Sequence, residues 1–596
     1  MRHLIALAAP LGLTATPCIV HAQSSMPKAI ANPVAAPTSQ AQAVTPERMT
    51  ILLTDLPSSP LSGVPGMQGA SFTSFDEPYL SPDGSNWMIT ADTDLPFMED
   101  DVLIVNGSLA LREGDTPSYV DAGDRLDSFN SRASINDAGQ FAFTHFTEDP
   151  NGANQFVVRG QPSGVFDVIA RRGSQVLGAP TGWLIDGFSG SANITSNGTV
   201  WYEADSVTNT PTMSSADDNL IAAGSSIFLQ NGVSVPAGQM TSSSETWESF
   251  DNEDLYVSAD GSQYLLQGDL NGDISTDDVL VVNGTVVLQE GFAIPGGPTD
   301  AVDTISESFM HGSGHWTANG LLSNGASWVV ADGSIVAMGG APIHVGTNEA
   351  FTFFRGSTCN GLGDFVVVGA TDDPDFKLDS VVVVNNDRVL LREGDPVDLD
   401  GNGIFDDDLE FHFFVPDSFR LGDDGMLYFL ADVRVPTGVS SVGTILLAVN
   451  INEEPGVAYC TTNPNSTGIA SSLIATGSSA VASNDITLIT SDLPIDSFGF
   501  FIVSTSQGFV MNPGGSQGNL CLSGAIGRYV GPGQIMSTGS TGQFQLTIDL
   551  NAIPGPLGPM AAVAGDEWNF QLWHRDLGGP TGATSNLSNG YSITFN

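Results

Sequence analysis

Basic residues are scarce in this chain. Its 596 residues include 17 Lys and Arg against 67 Asp and Glu, and only Lys28 and Lys377 are lysines. A formal net charge of −50 repels nucleic acid and anionic lipid and concentrates cations around the protein. We therefore expect no nucleic-acid partner. Two interpretations of the acidic surface stay open: it keeps the protein soluble in a salty exterior, or some of its carboxylates bind Ca²⁺.

Long apolar runs are missing as well. Beyond residue 22, no run approaches the roughly 18 apolar residues of a membrane span, so no transmembrane segment is predicted. Residues 1–22 begin with a basic stretch, continue with a short apolar run and end in VHA, which is the pattern of a cleaved signal peptide. Residues 23–47 are rich in Ala, Pro, Ser and Gln without periodicity and are predicted to form a disordered linker. The expected localisation is secreted or cell surface.

Cysteine is rare. Cys18 lies in the predicted signal peptide, which leaves Cys359, Cys460 and Cys521. An odd number in an oxidising compartment implies one disulfide and one remaining thiol. Cys460 and Cys521 share a C-terminal segment whose composition differs from the rest. We predict that these two pair and that Cys359 is a buried free thiol.

The common signatures of catalysis are absent, since the chain contains no G-x-S-x-G, H-E-x-x-H, P-loop or C-x-x-C motif. His311 and His315 have a spacing that can suit zinc, but no third ligand is evident, so we expect a structural role. The sequence REGD at residues 112–115 and 392–395 places a carboxylate beside an arginine, as an acid or base would require. Because it recurs at one position of a repeat, we interpret it as a structural turn in which Gly provides a positive φ.

The chain is rich in copies of one β-hairpin. DDVLIVNGSLALREGD (100–115), DDVLVVNGTVVLQEG (277–291) and DSVVVVNNDRVLLREGD (379–395) each place a short turn between two apolar runs, a strong hairpin signal. Each repeat also has a turn glycine that is preceded by a Phe and followed by an aromatic residue. Successive turn glycines are 49 to 63 residues apart, which gives seven units: Gly84, Gly139, Gly198, Gly261, Gly314, Gly363 and Gly425.

The repeat predicts an all-β protein. Four antiparallel strands in roughly 50 residues make one blade of a β-propeller, because such a sheet buries both faces only when neighbours stack on it radially. Residues 48–455 are therefore predicted to form a seven-bladed β-propeller, in which the isolated strand MTILL at 49–53 completes the last blade and closes the ring. Residues 456–596 consist of short strands between Gly, Ser and Pro turns and are predicted to form a C-terminal β-sandwich.

Residues 456–596 resemble a domain at the C-termini of exported proteins of aquatic Gram-negative bacteria. The resemblance is carried by AYC at 458–460, NPGGSQGNLC at 512–521, GRY at 527–529 and WHRD at 573–576, and it covers nearly all of the segment. It implies an appended module and no particular activity. The repeat sequence NG-x-x-x-LREGD is likewise similar to an uncharacterised extracellular propeller repeat.

One acidic loop is the best candidate for a metal site. Asp398, Asp400, Asn402 and Asp406 occupy positions 1, 3, 5 and 9, with Gly403 at position 6. Oxygen ligands at this spacing can wrap Ca²⁺, and the loop resembles the calcium loops of integrin-type propellers. We predict a structural Ca²⁺ here, against the alternative of a solvated acidic turn.

A second loop repeats the spacing. Asp269, Asn271, Asp273 and Asp277 stand at positions 1, 3, 5 and 9, but Ile274 replaces the glycine, which makes the turn costlier. This loop is predicted as a further Ca²⁺ site with the same alternative.

Two hypotheses about function follow. The first is a secreted, monomeric, non-enzymatic binding or adhesion protein whose propeller presents acidic loops to an extracellular glycan or protein. The second is a secreted polysaccharide hydrolase or lyase with its site at the propeller mouth. It rests on Asp76, Glu77, Asp251 and Asn252, which follow the inner-strand Phe of units one and four. The fold alone does not decide between them, because propellers host both roles.

Overall fold

The computed structural model describes residues 48–595 apart from 130–131, 149–153, 189–190, 209–217, 239–243, 251–254, 403, 453–454, 461, 478, 480, 482–483, 485, 556–557 and 578–583. The predicted signal peptide and linker, together with Asp251, Asn252 and Gly403, lie outside the described residues. The regular secondary structure of the described chain is almost entirely β-strand, with two 3-10 helices at Pro60–Ser62 and Pro513–Gly515. None of its helices is long and apolar enough to cross a membrane. The predicted all-β class is confirmed.

Seven antiparallel sheets follow one another along the described residues 49–450. Strand β1 (Met49–Thr54) precedes them and belongs to the last. Sheets one to three comprise β2 (Phe72–Leu80), β3 (Trp87–Thr93), β4 (Asp101–Val105) and β5 (Ser108–Arg112); β6 (Arg125–Phe129), β7 (Ser134–Ile135), β8 (Phe141–Glu148), β9 (Asn154–Gly160) and β10 (Phe166–Arg171); and β11 (Trp183–Gly187), β12 (Ala192–Ile194), β13 (Val200–Thr208), β14 (Asn219–Ala223) and β15 (Ser226–Gln230).

Sheets four to seven continue the pattern. They comprise β16 (Leu255–Val257), β17 (Tyr264–Asp269), β18 (Asp278–Val282) and β19 (Thr285–Gln289); β20 (Val302–Met310), β21 (Trp316–Leu322), β22 (Ser327–Ala331) and β23 (Ser334–Met338); β24 (Phe351–Cys359), β25 (Phe365–Thr371), β26 (Ser380–Val384) and β27 (Arg388–Arg392); and β28 (Glu410–Phe414), β29 (Arg420–Leu421), β30 (Met426–Arg434) and β31 (Gly443–Asn450) with β1.

Each sheet packs on the next, and the seventh packs on the first through β30 and β2. The sheets therefore form a closed ring, which is a β-propeller. Within the described residues, an apolar core fills each of the seven interfaces; the one that joins sheets seven and one includes Leu430 and Leu446 beside Ile89 and Ile104. Each sheet thus buries both faces against its neighbours, as the repeat predicted.

Strand β1 closes the ring. It pairs antiparallel with β31, from Met49 opposite Val449 to Thr54 opposite Ile445. The last sheet therefore takes its outermost strand from the beginning of the described chain, and the predicted role of this strand is confirmed. Closure leaves the ring without an open sheet end between its first and last units.

The innermost strands share an irregularity halfway along their length. In sheets one, five and six, a β-bulge interrupts the pairing between Phe75 and Pro78, Ile305 and Glu307, and Phe354 and Gly356. In sheets two, three and seven the chain leaves the sheet at the same level, between β6 and β7, β11 and β12, and β28 and β29. We call the described charged and polar residues at this level the bulge belt: Asp76, Glu77, Arg132, Ser306, Arg355 and Asp417.

The C-terminal part is a β-sandwich. A seven-stranded sheet holds β32 (Gly456–Tyr459), β35 (Phe498–Ser504), β38 (Gly527–Arg528), β39 (Met536–Ser537), β43 (Glu567–Arg575), β44 (Ser585–Leu587) and β45 (Gly590–Thr594); a three-stranded sheet holds β33 (Ser472–Thr476), β34 (Thr487–Ser491) and β40 (Phe544–Thr547); two hairpins hold β36 (Gln507–Met511) with β37 (Asn519–Leu522) and β41 (Ile553–Gly555) with β42 (Gly558–Met560). Its core lies between the two larger sheets and includes Leu488, Phe501 and Phe570.

The sandwich carries the one disulfide found among the described residues. Cys460, after β32, bonds to Cys521 in β37, with Cα atoms 6.1 Å apart. Cys359 in sheet six is a buried free thiol. Both cysteine predictions are confirmed.

Candidate functional site at the channel mouth

The bulge belt lies halfway along the innermost strands, and Arg132, Arg355 and Asp417 line cavities there. Bulges redirect side chains and recur next to functional sites, and here they turn charged residues toward the channel and the clefts beside it. Arg132 and Asp417 each have a φ of 62°. That left-handed conformation costs a non-glycine residue about 1–3 kcal/mol and persists only where the surroundings fix it. The strain singles out the belt as the candidate site.

Arg420, at the start of β29, holds the last sheet to the first. Its Nη1 donates to the backbone oxygens of Asp417 and Phe419 at 2.7 and 2.8 Å. Its Nη2 donates to Glu77 Oε2 at 3.0 Å. The guanidinium also lies 5.4 Å from the ring centre of Phe309. Arg420 and Glu77 therefore act as a fixed ion pair across the ring closure.

Arg132, which follows β6 of sheet two, lines the same cavities as Arg420. Its backbone N–H donates to Tyr79 Oη at 2.7 Å, and its Nη1 donates to Tyr256 Oη while its guanidinium lies over the Tyr256 ring. Burial raises the pKa of Tyr79 above its ordinary value. A cavity of about 90 Å³ lies beside Arg132 and is lined by residues of several sheets.

Two acidic side chains of the mouth touch each other. Burial raises the pKa of Asp417, and a side-chain interaction with Glu307 opposes that rise.

A cleft of about 320 Å³ lies beside the pair, between sheets five and six. Arg355 of the belt lines it, with its guanidinium 4.7 Å from the ring centre of Phe353 and 4.4 Å from that of Phe413. Within the described chain, Arg355 makes no ion pair and its buried Nε has no hydrogen-bond partner. Burial lowers the pKa of Arg355 below its ordinary value. A guanidinium without a carboxylate partner is notable in a chain this acidic.

Asn319 adds a second unsatisfied donor to the same cleft. Its side chain is 5% exposed, and its Nδ2 has no hydrogen-bond partner among the described residues. Buried donors of this kind cost about 1–3 kcal/mol each unless an acceptor is supplied. The rim is apolar, with Phe353 43% and Leu321 39% exposed. The cleft therefore offers donors, carboxyl acceptors and an aromatic edge together.

The acids that the sequence predicted for the mouth are held by other residues. Asp76 accepts a hydrogen bond from Thr90 Oγ1 at 2.8 Å, and Glu77 is the partner of Arg420. Arg355, Asn319 and Asp417 were not predicted, because their proximity depends on bulges and on three different sheets.

The first predicted metal loop gathers a different set of carboxylates. Oxygens of Asp398, Asp400 and Asp407 all lie within 4.8 Å of one another, and Asp398 is 3% exposed. Asp406 instead accepts a hydrogen bond from Asn402 Nδ2 at 3.2 Å. The loop joins β27 to β28, so it links sheets six and seven and does not connect two strands of one sheet. This acidic cluster could hold a cation.

The stem of this loop explains the difference. Val397 N–H donates to Leu409 O at 3.0 Å, and Asp407 Oδ2 accepts from the backbone N–H of Leu399 at 2.6 Å and of Asp400 at 3.3 Å. The stem pairing places Asp407 beside the beginning of the loop. Val397, Leu399 and Leu409 pack into the core between sheets six and seven, which anchors the cluster to β28.

The second predicted loop, between β17 and β18, does not gather its acids. Asp269 Oδ2 accepts from Ser249 Oγ at 2.9 Å, Asn271 Oδ1 accepts from Thr246 N–H at 3.0 Å, and Asp273 Oδ1 accepts from Ser275 N–H at 3.1 Å. In the described chain the Asp398 loop holds the only group of three such ligands within 4.8 Å, so Asp269, Asp273 and Asp277 do not form one.

The charged turns and the two histidines have the structural roles expected of them. In both REGD turns the Asp carboxylate accepts the backbone N–H of the Arg three residues earlier, at 2.9 and 2.7 Å, and the Gly has a φ of 84° or 89°. His311 Nε2 donates to Pro82 O at 3.1 Å, and His315 Nδ1 lies 2.6 Å from Asp332 Oδ2.

No protein-family model and no curated protein matches the chain. Solved structures resemble it at low similarity. An oligogalacturonate lyase in complex with manganese is 12% identical, with 69% of this chain and 99% of that chain covered and a TM-score of 0.33. A Penicillium chrysogenum α-L-arabinanase complexed with arabinobiose is 9% identical, with coverages of 67% and 98% and a TM-score of 0.25. Drosophila Plexin A in complex with Semaphorin 1b is 9% identical, with coverages of 71% and 90% and a TM-score of 0.29. Likeness at this level bears on neither activity nor ligand.

Proposed function

We propose that this protein is an exported, non-enzymatic binding protein whose β-propeller presents a ligand cleft at the channel mouth. One observation carries the proposal: the described acids of the mouth are bonded to protein partners, whereas the donors of Arg355 and Asn319 are not. Prearranged donors beside an exposed aromatic ring are features of a recognition site. Export is supported by the signal-peptide pattern and by the resemblance of residues 456–596 to a domain of exported bacterial proteins.

We further propose that Ca²⁺ binds at Asp398, Asp400 and Asp407 and steadies this cleft. Carboxylate oxygens are the ligands that Ca²⁺ prefers, and three of them within 4.8 Å repel one another unless a cation is present. The loop leads directly into β28, whose Phe413 ring covers one face of Arg355. Ca²⁺ would thus fix the strand that positions the cleft.

A polysaccharide hydrolase or lyase is the second candidate. It is favoured by the raised pKa of Asp417 next to a cleft, since perturbed acids cluster at active sites. Against it stands the absence, among the described residues of the cleft, of a nucleophile or base motif beside Asp417.

The test is a screen of purified protein, in Ca²⁺, against glycan and extracellular-protein arrays, followed by product analysis on every polysaccharide that binds. Binding without turnover supports the proposal. Turnover that is lost in Asp417→Asn but retained in Asp273→Asn would replace it with the enzymatic alternative. A protein that binds nothing on either array would contradict both.

A further inference from the structure

We infer that the Arg355 cleft binds a pyranose unit that bears a carboxylate, such as a uronate of an acidic polysaccharide. This inference rests on the proposed binding function and names the ligand class of that site. It starts from two buried donors, the Arg355 Nε–H and the Asn319 Nδ2–H, which belong to residues that line one cleft and have no acceptor among the described residues. Native proteins rarely leave buried donors unpaired, so an external acceptor completes the site.

The packing of Arg355 selects a carboxylate over a neutral acceptor. The guanidinium lies over the rings of Phe353 and Phe413, 4.7 and 4.4 Å from their centres, so a ligand is best bound by its in-plane N–H groups. A carboxylate binds in that plane through two parallel hydrogen bonds. The nearest acids do not take this place, since in the described chain Arg355 has no salt-bridge partner.

The other cleft groups select a sugar over a simple organic acid. Glu307 and Asp417 line the cleft, and their carboxyl oxygens can accept hydrogen bonds from hydroxyl groups of a ligand. Leu321 and Phe353 offer exposed apolar surface on which the C–H face of a pyranose can rest. A volume of about 320 Å³ falls within the range of small-molecule sites.

The charges of the cleft also permit an acidic ligand despite the net charge of the chain. Arg355 supplies a positive charge that no salt bridge within the described residues neutralises. A ligand carboxylate is therefore attracted to the guanidinium, whereas most of the acidic surface repels it.

The experiment is isothermal titration of the full chain with uronate tetrasaccharides and with the same tetrasaccharides after reduction of their carboxylates to alcohols. We expect the acidic forms to bind about tenfold or more tightly than the reduced forms. Arg355→Met, which keeps a linear side chain between the two rings, should remove that preference. Arg355→Lys, which keeps the charge without the planar fork, should retain only part of it.

The matched control is Arg125→Met. It removes an exposed arginine that pairs with Glu148 within sheet two, and it should leave the affinity for the tetrasaccharide unchanged. Equal affinity for acidic and reduced sugars, or full affinity in Arg355→Met, would overturn the inference. If wild type and Arg355→Met bind the same array ligand equally well, the binding function stands and the cleft assignment fails. If no uronate binds wild type, this ligand class is rejected, whatever the arrays show.

Discussion

Arg434 offers the sharpest test of how the ring is held together. Its side chain is 1% exposed at the end of β30. Its Nη1 donates to Glu393 Oε1 at 2.7 Å, its Nε donates to Glu410 Oε1 at 2.6 Å, and its Nη2 donates to Lys377 O at 3.0 Å. Glu393 and Lys377 belong to sheet six, whereas Glu410 and Arg434 belong to sheet seven. One buried cation thus joins two sheets.

Arg434→Met should therefore be strongly destabilising. Removing one partner of a buried pair costs about 3–5 kcal/mol, because the remaining charge stays buried without compensation. The exposed pair of Arg125 and Glu148 is the control, and Arg125→Met should change the stability little, because solvent screens an exposed ion pair. The measurements are urea unfolding and hydrogen exchange of β28 and β30, which also reports local opening if the whole chain does not unfold in one step.

The cost should depend on pH. Burial raises the pKa of Glu393 to about 7, and the Arg434 guanidinium opposes that rise. A carboxyl with a raised pKa contributes stability below its unfolded pKa, and this stability is lost as the pH rises through the folded pKa. Wild type stops losing this stability above about pH 7, whereas Arg434→Met, in which the pKa of Glu393 is still higher, continues to lose it. The loss is about 1.4 kcal/mol per pH unit. The difference in unfolding free energy between wild type and variant should therefore be about 1.4 kcal/mol larger at pH 8 than at pH 5.5.

His412 adds to this pH dependence. Its Nδ1 lies 3.0 Å from Arg434 Nη1, and burial together with the Arg434 cation lowers the pKa of His412. Without Arg434 it protonates more readily at low pH and compensates Glu393, which is 3.6 Å away. Adding Glu393→Gln should remove most of the pH dependence. A cost as small as that of Arg125→Met, or one that is the same at pH 5.5 and 8, would refute the reasoning.

Three further predictions concern the ion, the disulfide and the free thiol. About 10 mM Ca²⁺ at a Kd of about 10⁻⁴–10⁻³ M should stabilise the propeller by about 1.4–2.7 kcal/mol. The melting temperature should rise in Ca²⁺, by less in Asp400→Ala and by the full amount in Asp273→Ala. An equal rise in Mg²⁺ would indicate charge screening instead. Replacing Cys460 and Cys521 with Ala opens a loop of 61 residues and should cost the sandwich about 4 kcal/mol in denaturant unfolding, while an unchanged midpoint would contradict this. Burial raises the pKa of the Cys359 thiol, so it should react with a thiol reagent only after unfolding, and rapid labelling of native protein would show that the site is open.

The repeat architecture could be predicted because its signals are local. Asn106 and Gly107 have φ values of 49° and 71°, and Asn283 and Gly284 have 52° and 76°, as the Asn-Gly sequence of a tight hairpin turn requires. The candidate site depends on longer-range features. Asp407 replaces Asp406 in the acidic cluster because of stem pairing, which a spacing rule within the loop does not include.

Arg355 shows the same limit more clearly. In sequence it is one arginine after two phenylalanines in a strand. Its unpaired state results from a bulge in its own strand and from the ring of Phe413, a residue that lies 58 positions later in the next sheet. No short pattern contains both facts.

The closure of the ring by β1 also sets an order for folding. Met49 pairs with Val449, so β1 can pair only after a strand about 400 residues further along the chain has formed. The neighbouring pair of β30 and β31 closes a loop of only about 24 residues, from Met426 to Asn450. Closing the longer loop costs about 2.5 kcal/mol more in chain entropy. The contacts of β1 offset this cost only after the intervening sheets have brought the two ends of the chain together. Until then the free side of β31 is an exposed strand edge open to pairing with another chain, so the last step of folding is also the one at which this protein is most exposed to aggregation.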